Sequence, residues 1–211
     1  MSNSSLVKYT KISPNSSART APISKITIHH AAVVNASLVG LGNGFAKPER
    51  QASSNYGIDS SGNIGLFVDE SRRAWTSSNR DNDNVAVTIE VANSKGAPNW
   101  EVSDEALAAL IELCVDICKR NGIKELNYTG TPEGNLTRHN MFIATTCPGA
   151  YLESKFSYIA KEVNARLKND GATANKTTIY RVQVGAFKEK ENAEKLLKQL
   201  QAQGYTDAFI K

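Results

Sequence analysis

The side chains best able to do chemistry in this chain are few and unevenly spaced. The histidines are His29, His30 and His139, and His139 lies shortly before Cys147 in the run RHNMFIATTCPG. Imidazole nitrogen and thiolate sulfur are donors that zinc prefers, and three protein donors leave a fourth position for water. Two histidines with one cysteine would make an open, catalytic site rather than a closed structural one. His29 and His30 are adjacent in an apolar run. Neighbouring strand residues point to opposite faces, so the two can hardly ligate one ion together. Glu90 also stands out, flanked by valine and isoleucine in VTIEVA. A charge in such surroundings needs a partner or a task, and a carboxylate near activated water can serve as general base. By types and spacing alone, a His and a Cys eight apart occur often by chance, and satisfied core residues are the favoured reading.

Several elements must position these groups. Lys25 to Val33 (KITIHHAAV) reads as a buried strand, and residues 34 to 55 as loop with a short helix. Tyr56 to Val68 suggests a hairpin turning at Asp59-Ser60-Ser61-Gly62-Asn63, and Val85 to Ala92 a second strongly β segment. The clearest helix starts at Ser103 as N-cap, with Asp104 and Glu105 in its first turn. Leu107, Leu110, Ile111, Cys114, Val115 and Cys118 form its apolar stripe, and Lys119, Arg120 and Gly122 close it. Cys114 and Cys118 therefore read as reduced core residues. A last long helix, about Tyr151 to Lys168, carries Phe156, Ile159, Ala160, Val163 and Leu167 on one stripe. Strands interleaved with helices predict the α/β class, with a single mixed sheet flanked by helices.

Residues 169–176 (NDGATANK) are small and polar, as in a linker. The pattern then restarts. Tyr180, Val182 and Val184 alternate with polar residues, and Ala193, Leu196, Leu197 and Leu200 follow helical spacing. Ala208-Phe209-Ile210 opens another strand. The expected organisation is a catalytic domain over 1–168, a linker over 169–176 and a β-α-β half-module over 177–211, the last too small to bury a stable core alone.

Composition narrows the function. Of 211 residues, 40% are hydrophobic and 22% charged, ordinary for a globular protein. A net charge of +4, with no basic cluster interleaved with aromatics, argues against a nucleic-acid partner. No apolar run approaches the length of a membrane span, and Met1-Ser2-Asn3-Ser4-Ser5 is unlike a secretory signal. The expectation is synthesis in the cytoplasm without a signal peptide and without membrane insertion.

The segments ITIHHAAV, VTIEVAN and RHNMFIATTCPGAYL, in this order, resemble the zinc N-acetylmuramoyl-L-alanine amidases. That family is shared by phage endolysins, bacterial recycling amidases and peptidoglycan recognition proteins, and the resemblance covers about residues 20 to 168. ASSNYGIDSSGNIGLFVDESRRAWTSSN is more narrowly similar to endolysins of phages of Gram-positive bacteria, clostridia included. The resemblance implies the peptidoglycan recognition protein-like fold, a Zn2+ cofactor and ligands at His29, His139 and Cys147. It makes His30 a packing residue, Glu90 the general base and Tyr56 a contact to the substrate or reacting carbonyl. Where some members carry an oxyanion-stabilising lysine, this chain has Thr145, a donor without charge. Trp75 is a candidate groove aromatic, and Arg138 reads as a solvated cation.

The tail, IYRVQVGAF with KEKENAEKLLKQLQAQGY and DAFI, resembles the first half of a SPOR domain, a wall-binding module. The resemblance places Gln183 on the glycan-binding strand face and raises the expectation of a homodimer in which two halves complete one sheet. The implied activity is cleavage between N-acetylmuramic acid and L-alanine, on the cell wall, for phage lysis of a host. The rivals are a non-catalytic peptidoglycan-binding protein and a bacterial autolysin; the retained Cys147 and Glu90 favour the enzyme.

Overall fold

A computed structural model of the chain describes residues 2–173, 183–205 and 208–210. The chain divides into two compact units, Met1–Ala172 and Thr173–Lys211.

The first unit is a mixed α/β layer structure of the expected class. Its strands are β1 (Val7–Thr10), β2 (Ser16–Ala18), β3 (Lys25–Val34), β4 (Tyr56–Ile58), β5 (Ile64–Leu66), β6 (Arg72–Ala74), β7 (Ala86–Asn93) and β8 (Leu136–Arg138). Its helices are α1 (Leu38–Phe45), α2 (Arg80–Val85), α3 (Asp104–Asn121) and α4 (Ala150–Thr173). One sheet has the order β1-β5-β4-β7-β3-β8, and β2 pairs with β6 in a separate ribbon. The pairings β4·β7, β7·β3 and β3·β8 are parallel, while β4 and β5 form the antiparallel hairpin anticipated at 56–68. The short strands β1, β2, β6 and β8 and helix α2 were not marked by any strong period in the sequence.

Register decides which residues share a face. Ile26, Ile28 and His30 lie beside Val87, Ile89 and Val91, so these side chains point one way. The apolar members meet Leu107, Leu110, Cys114 and Ile117 of α3 and Leu152, Phe156, Ile159 and Val163 of α4 in one buried cluster. At about 1.5–3 kcal/mol for each large side chain fully buried, this face supplies most of the stability. Both helices form where sequence periodicity placed them. Ser103 caps α3 by accepting from Ala106 N, and Gly122 ends it in the left-handed region at φ 70°. Cys114 and Cys118 are free and buried.

The opposite face carries the alternate residues, Thr27 and His29 of β3 and Thr88 and Glu90 of β7. Part of it is covered by α1, which approaches because β4 and β5 present Gly57 and Gly65 there. A Cβ on Gly57 would stand 2.5 Å from the Phe67 ring and 3.2 Å from Leu41; one on Gly65 would stand 3.1 Å from Leu38. Leu38, Phe45 and Phe67 fill this space as a second, smaller core.

Two charged networks tie the periphery together. Arg19 donates to the carbonyls of Glu70, Arg72, Asp83, Asn84 and Ala86, joining the β6 loop to the entry of β7. Glu70, 1% exposed, receives Arg120 of α3 at 2.7 Å and Tyr56 Oη at 2.6 Å.

Helix α4 runs to Thr173, beyond the expected end at Lys168, and so takes in the first residues of the expected linker. In the second unit α5 (Lys190–Ala202) matches the predicted helix. The predicted strands differ: Gln183 to Phe187 and Ala208 to Ile210 carry no strand pairing among the described residues, and Tyr180 to Val182 lie outside them. Among the described residues no helix is long and apolar enough to cross a membrane.

Candidate functional site

The chemistry gathers at the carboxyl ends of three parallel strands. His29 lies toward the end of β3, Glu90 is its register partner on β7, and His139 directly follows β8. Outside the carboxyl ends of parallel strands, neighbouring side chains converge on a crevice that the helices leave open. Cys147 comes from the following loop, which is fastened to the His139 turn: Asn140 N–H donates to Cys147 O at 3.2 Å. The Asn140 side chain in turn donates to Glu153 on the first turn of α4, and Arg138 holds the other Glu153 oxygen at 2.9 Å. Arg138, read as a solvated cation, is instead 15% exposed and ion-paired here.

The donor atoms of His29, His139 and Cys147 all lie within 4.8 Å of one another. His29 Nδ1 stands 3.6 Å from Cys147 Sγ, and the two imidazole centroids are 4.6 Å apart. Across a tetrahedral zinc with bonds of about 2.0 and 2.3 Å, nitrogen and sulfur sit roughly 3.5 Å apart, so the pair matches the ion's span. Burial, with the neighbouring imidazole of His139, holds His29 well below the usual histidine range, and burial lowers His139 as well. Both rings are thus neutral, the state a ligand requires. Burial and the nearby Glu90 push the Cys147 thiol up. Burial drives the Glu90 carboxyl up to about 8, against a smaller opposing pull from Arg50. A thiol and a carboxyl that both resist ionising, beside two neutral imidazoles, form a pocket in which a divalent cation would make the anionic forms favourable. The donor set fits such an ion. Glu90 Oε2 and the Nε2 atoms of His29 and His139 are buried without hydrogen-bond partners among the described residues.

A polar layer underlies this cluster. Thr27 and Thr137 hydroxyls meet at 2.9 Å, and Asn82 Nδ2 donates to Thr27 Oγ1 at 3.0 Å. Asp83 accepts from Ser77 Oγ at 2.6 Å and from the backbone of Thr76 and Ser77, which fixes the loop before α2.

The remaining sequence-predicted residues scatter. His30 points to the other face and packs edge-on against Trp100, with centroids 5.3 Å apart. Tyr56 requires a correction. It is fully buried on the α3 side of the sheet, since Gly57 and not Tyr56 registers with Glu90. Its hydroxyl is committed to Glu70 and to Ser4 N–H, so it anchors the fold rather than facing substrate. Thr145 is exposed in the Cys147 loop and accepts from Cys147 N–H at 3.2 Å. Trp75 follows β6, half-buried, with its indole N–H on Ser17 Oγ, and no hydrogen bond among the described residues joins it to the cluster. Gln183 is exposed in the second unit, donating to Gly185 O. Sequence reasoning missed Asn140 and Glu153, which brace the loop, and Arg50; single polar residues in loops carry no periodic signal.

A family model described as N-acetylmuramoyl-L-alanine amidase matches residues 19–150, and a SPOR domain model matches residues 159–211. The SPOR match begins inside α4, whose Ile159, Ala160 and Val163 belong to the core of the first unit. No curated protein matches. Among solved structures, a mutant endolysin from Bacillus subtilis is similar with a TM-score of 0.58 at 15% identity, covering 74% of this chain and 97% of that one. The N-acetylmuramoyl-L-alanine amidase LysC from Clostridium intestinale aligns with a TM-score of 0.50 at 21% identity, over 77% and 95%. The Drosophila peptidoglycan recognition protein SA aligns with a TM-score of 0.53 at 19% identity, over 70% and 90%. At these identities the likeness is one of fold.

Proposed function

The chain belongs to the N-acetylmuramoyl-L-alanine amidase family, and from that premise we propose that it is a zinc-dependent peptidoglycan hydrolase. It cuts the amide between the lactyl group of N-acetylmuramic acid and L-alanine of the stem peptide. The observation that carries this reading is the convergence of His29, His139 and Cys147 beside a buried, unpartnered carboxylate oxygen of Glu90.

His29, His139 and Cys147 would hold the ion, which when bound would supply Lewis acidity to polarise a carbonyl and acidify water. Glu90 Oε2 takes the proton of the attacking water and returns it to the departing amide nitrogen, so water adds to the carbonyl carbon and the peptide leaves as a neutral amine. Its Oε2 is open to both steps, because no protein hydrogen bond claims that oxygen among the described residues. Thr145 steadies the cysteine loop through the Cys147 N–H, and its own hydroxyl hydrogen is available to the developing oxyanion. Trp75 contributes aromatic surface along the wall-facing rim.

In the same reading the enzyme is a phage endolysin, supported by the similarity of residues 52–79 to that group, and Gln183 helps the tail hold glycan. The domains run 1–168 and 177–211 with the connection between. Two tails pair in a homodimer, for which the exposed Val184, Phe187, Tyr205 and Phe209 supply apolar surface. Sedimentation at micromolar concentration tests this directly, and a species of 22.9 kDa alone would discard it.

The amidase reading is tested on purified clostridial-type walls with native, chelated and zinc-restored protein and with Cys147→Ser. Loss of turbidity clearance on chelation, recovery with zinc, failure of the variant and release of N-terminal L-alanine without new reducing ends are expected. Wall binding with no product from any sample would make the protein a recognition module.

A further inference from the structure

One groove beside the cluster is bounded by the end of β3 and by α1, with Ala31, Val33, Asn35, Leu41, Phe45 and Arg50 in its lining. Arg50 is the only charged residue that lines it. Arg50 closes a single 3-10 turn, Pro48–Arg50, and Gln51 then takes φ 48°, which swings the chain away. The guanidinium carbon sits 5.4 Å from the centroid of the Phe45 ring. Stacking of this kind orients the planar fork while leaving its N–H edges outward. Among the described residues no ion pair and no side-chain hydrogen bond engages that fork. An arginine held by an aromatic ring but given no anion is set up for one that arrives with the ligand.

The groove on the other side of the cluster has the opposite character. Trp100, Asn140, Gly149 and Glu153 are among its lining residues, and the Glu153 carboxylate there is already satisfied by Arg138 and Asn140. With Glu153 neutralised by its partner, that side offers an anion no unpaired cation among its lining residues, whereas the Arg50 side does.

The reaction fixes which part of the substrate lies near Arg50. Glu90 protonates the departing nitrogen, so the stem peptide continues from Glu90, whose register partner Gly57 packs against Leu41 in the lining of the Arg50 groove. The anions of a muramoyl peptide are the carboxylates of that stem. Its second residue, a γ-linked glutamate, carries a free α-carboxylate that some walls convert to a carboxamide. We propose that Arg50 determines substrate specificity by binding this stem-peptide carboxylate through its guanidinium fork; the proposal rests on the amidase reading above.

The experiment measures kcat/KM on two soluble disaccharide tetrapeptides that differ only at the second stem residue, glutamate or isoglutamine. Zinc-loaded wild type, Arg50→Lys and Arg50→Ala are compared, with melting temperatures as a folding control. A charge-assisted bidentate pair predicts that wild type favours the acid substrate by about tenfold, mainly through KM. The preference falls to about one in Arg50→Ala. In Arg50→Lys it is intermediate, since lysine keeps charge but not the fork. No preference in wild type, or an equal loss on both substrates with a displaced pH profile, would overturn the proposal and make Arg50 an electrostatic neighbour of Glu90 only. Failure of wild type to cut either compound removes the amidase reading itself; cleavage of both without discrimination removes only the role of Arg50.

Discussion

Two faces of one sheet divide this molecule's tasks. Ile26, Ile28, Val87, Ile89 and Val91 press into α3 and α4, and every one of them is fully buried. One residue along the same two strands, Thr27, His29, Thr88 and Glu90 look the other way into hydroxyls, imidazoles and an unpartnered carboxylate. The first face gains free energy from each side chain it hides. The second holds groups whose charged forms burial disfavours, and the first face must make up that cost. Because strand periodicity is two, stability and reactivity are interleaved in sequence yet separated in space. Substitutions should therefore sort cleanly by parity.

The strongest test of that separation is Glu90→Gln. Loss of a general acid–base group should lower amide cleavage by about 10²–10⁴-fold. Thermal unfolding of the metal-free protein should be unchanged or slightly raised, because a carboxyl driven up to about 8 is one the fold does not favour ionised. A large drop in melting temperature would break the comparison. On the opposite face, Arg120→Ala strands the buried Glu70 and should cost about 3–5 kcal/mol, with activity per folded molecule kept. That corresponds to a melting shift on the order of 10 °C. Leu110→Ala, in the middle of α3, should cost about 2–5 kcal/mol by denaturant titration, again without altering zinc affinity.

Smaller effects sharpen the boundary. Thr27→Val removes the hydroxyl shared by Thr137 and Asn82, and should cost about 1–2 kcal/mol while also weakening zinc retention in a chelator competition. Loss of stability with unaltered zinc retention would place the polar layer with the structural face. Thr145→Val should slow cleavage only a few-fold, since the exposed hydroxyl carries no charge. A hundredfold loss would make Thr145 a principal oxyanion donor.

Much of the structural face could be read in the sequence. The stripe from Leu107 to Cys118 has helical period and clear caps, and it emerges buried as a unit. KITIHHAAV and VTIEVA announce strands by β-branched content, and both form. The meeting of His29, His139 and Cys147 was legible only through resemblance, because they come together through loops whose course no period encodes. Tyr56 shows a different limit. Its identity suggested a site residue, but its direction depends on which residue of β4 lies opposite Glu90, and that is a matter of register between distant strands. Arg50 was passed over because a cation in a Pro-containing loop looks solvated until the Phe45 ring is seen against it. In the tail, helical spacing was legible for α5, whereas the alternation read there gives no strand at Val184 among the described residues.

The second histidine of the pair leaves one inheritance of its own. Its ring turns away from the ion site, but its main-chain N–H points at Cys147 Sγ across 3.4 Å. A donor of this kind draws electron density from the sulfur, which tempers its nucleophilicity and its tendency to oxidise. The influence belongs to the peptide unit rather than to any side chain. Mutation at position 30 can change what packs on Trp100, yet every residue except proline brings the same N–H. The temper of the cysteine is thus carried by the backbone, where genetic drift cannot reach it.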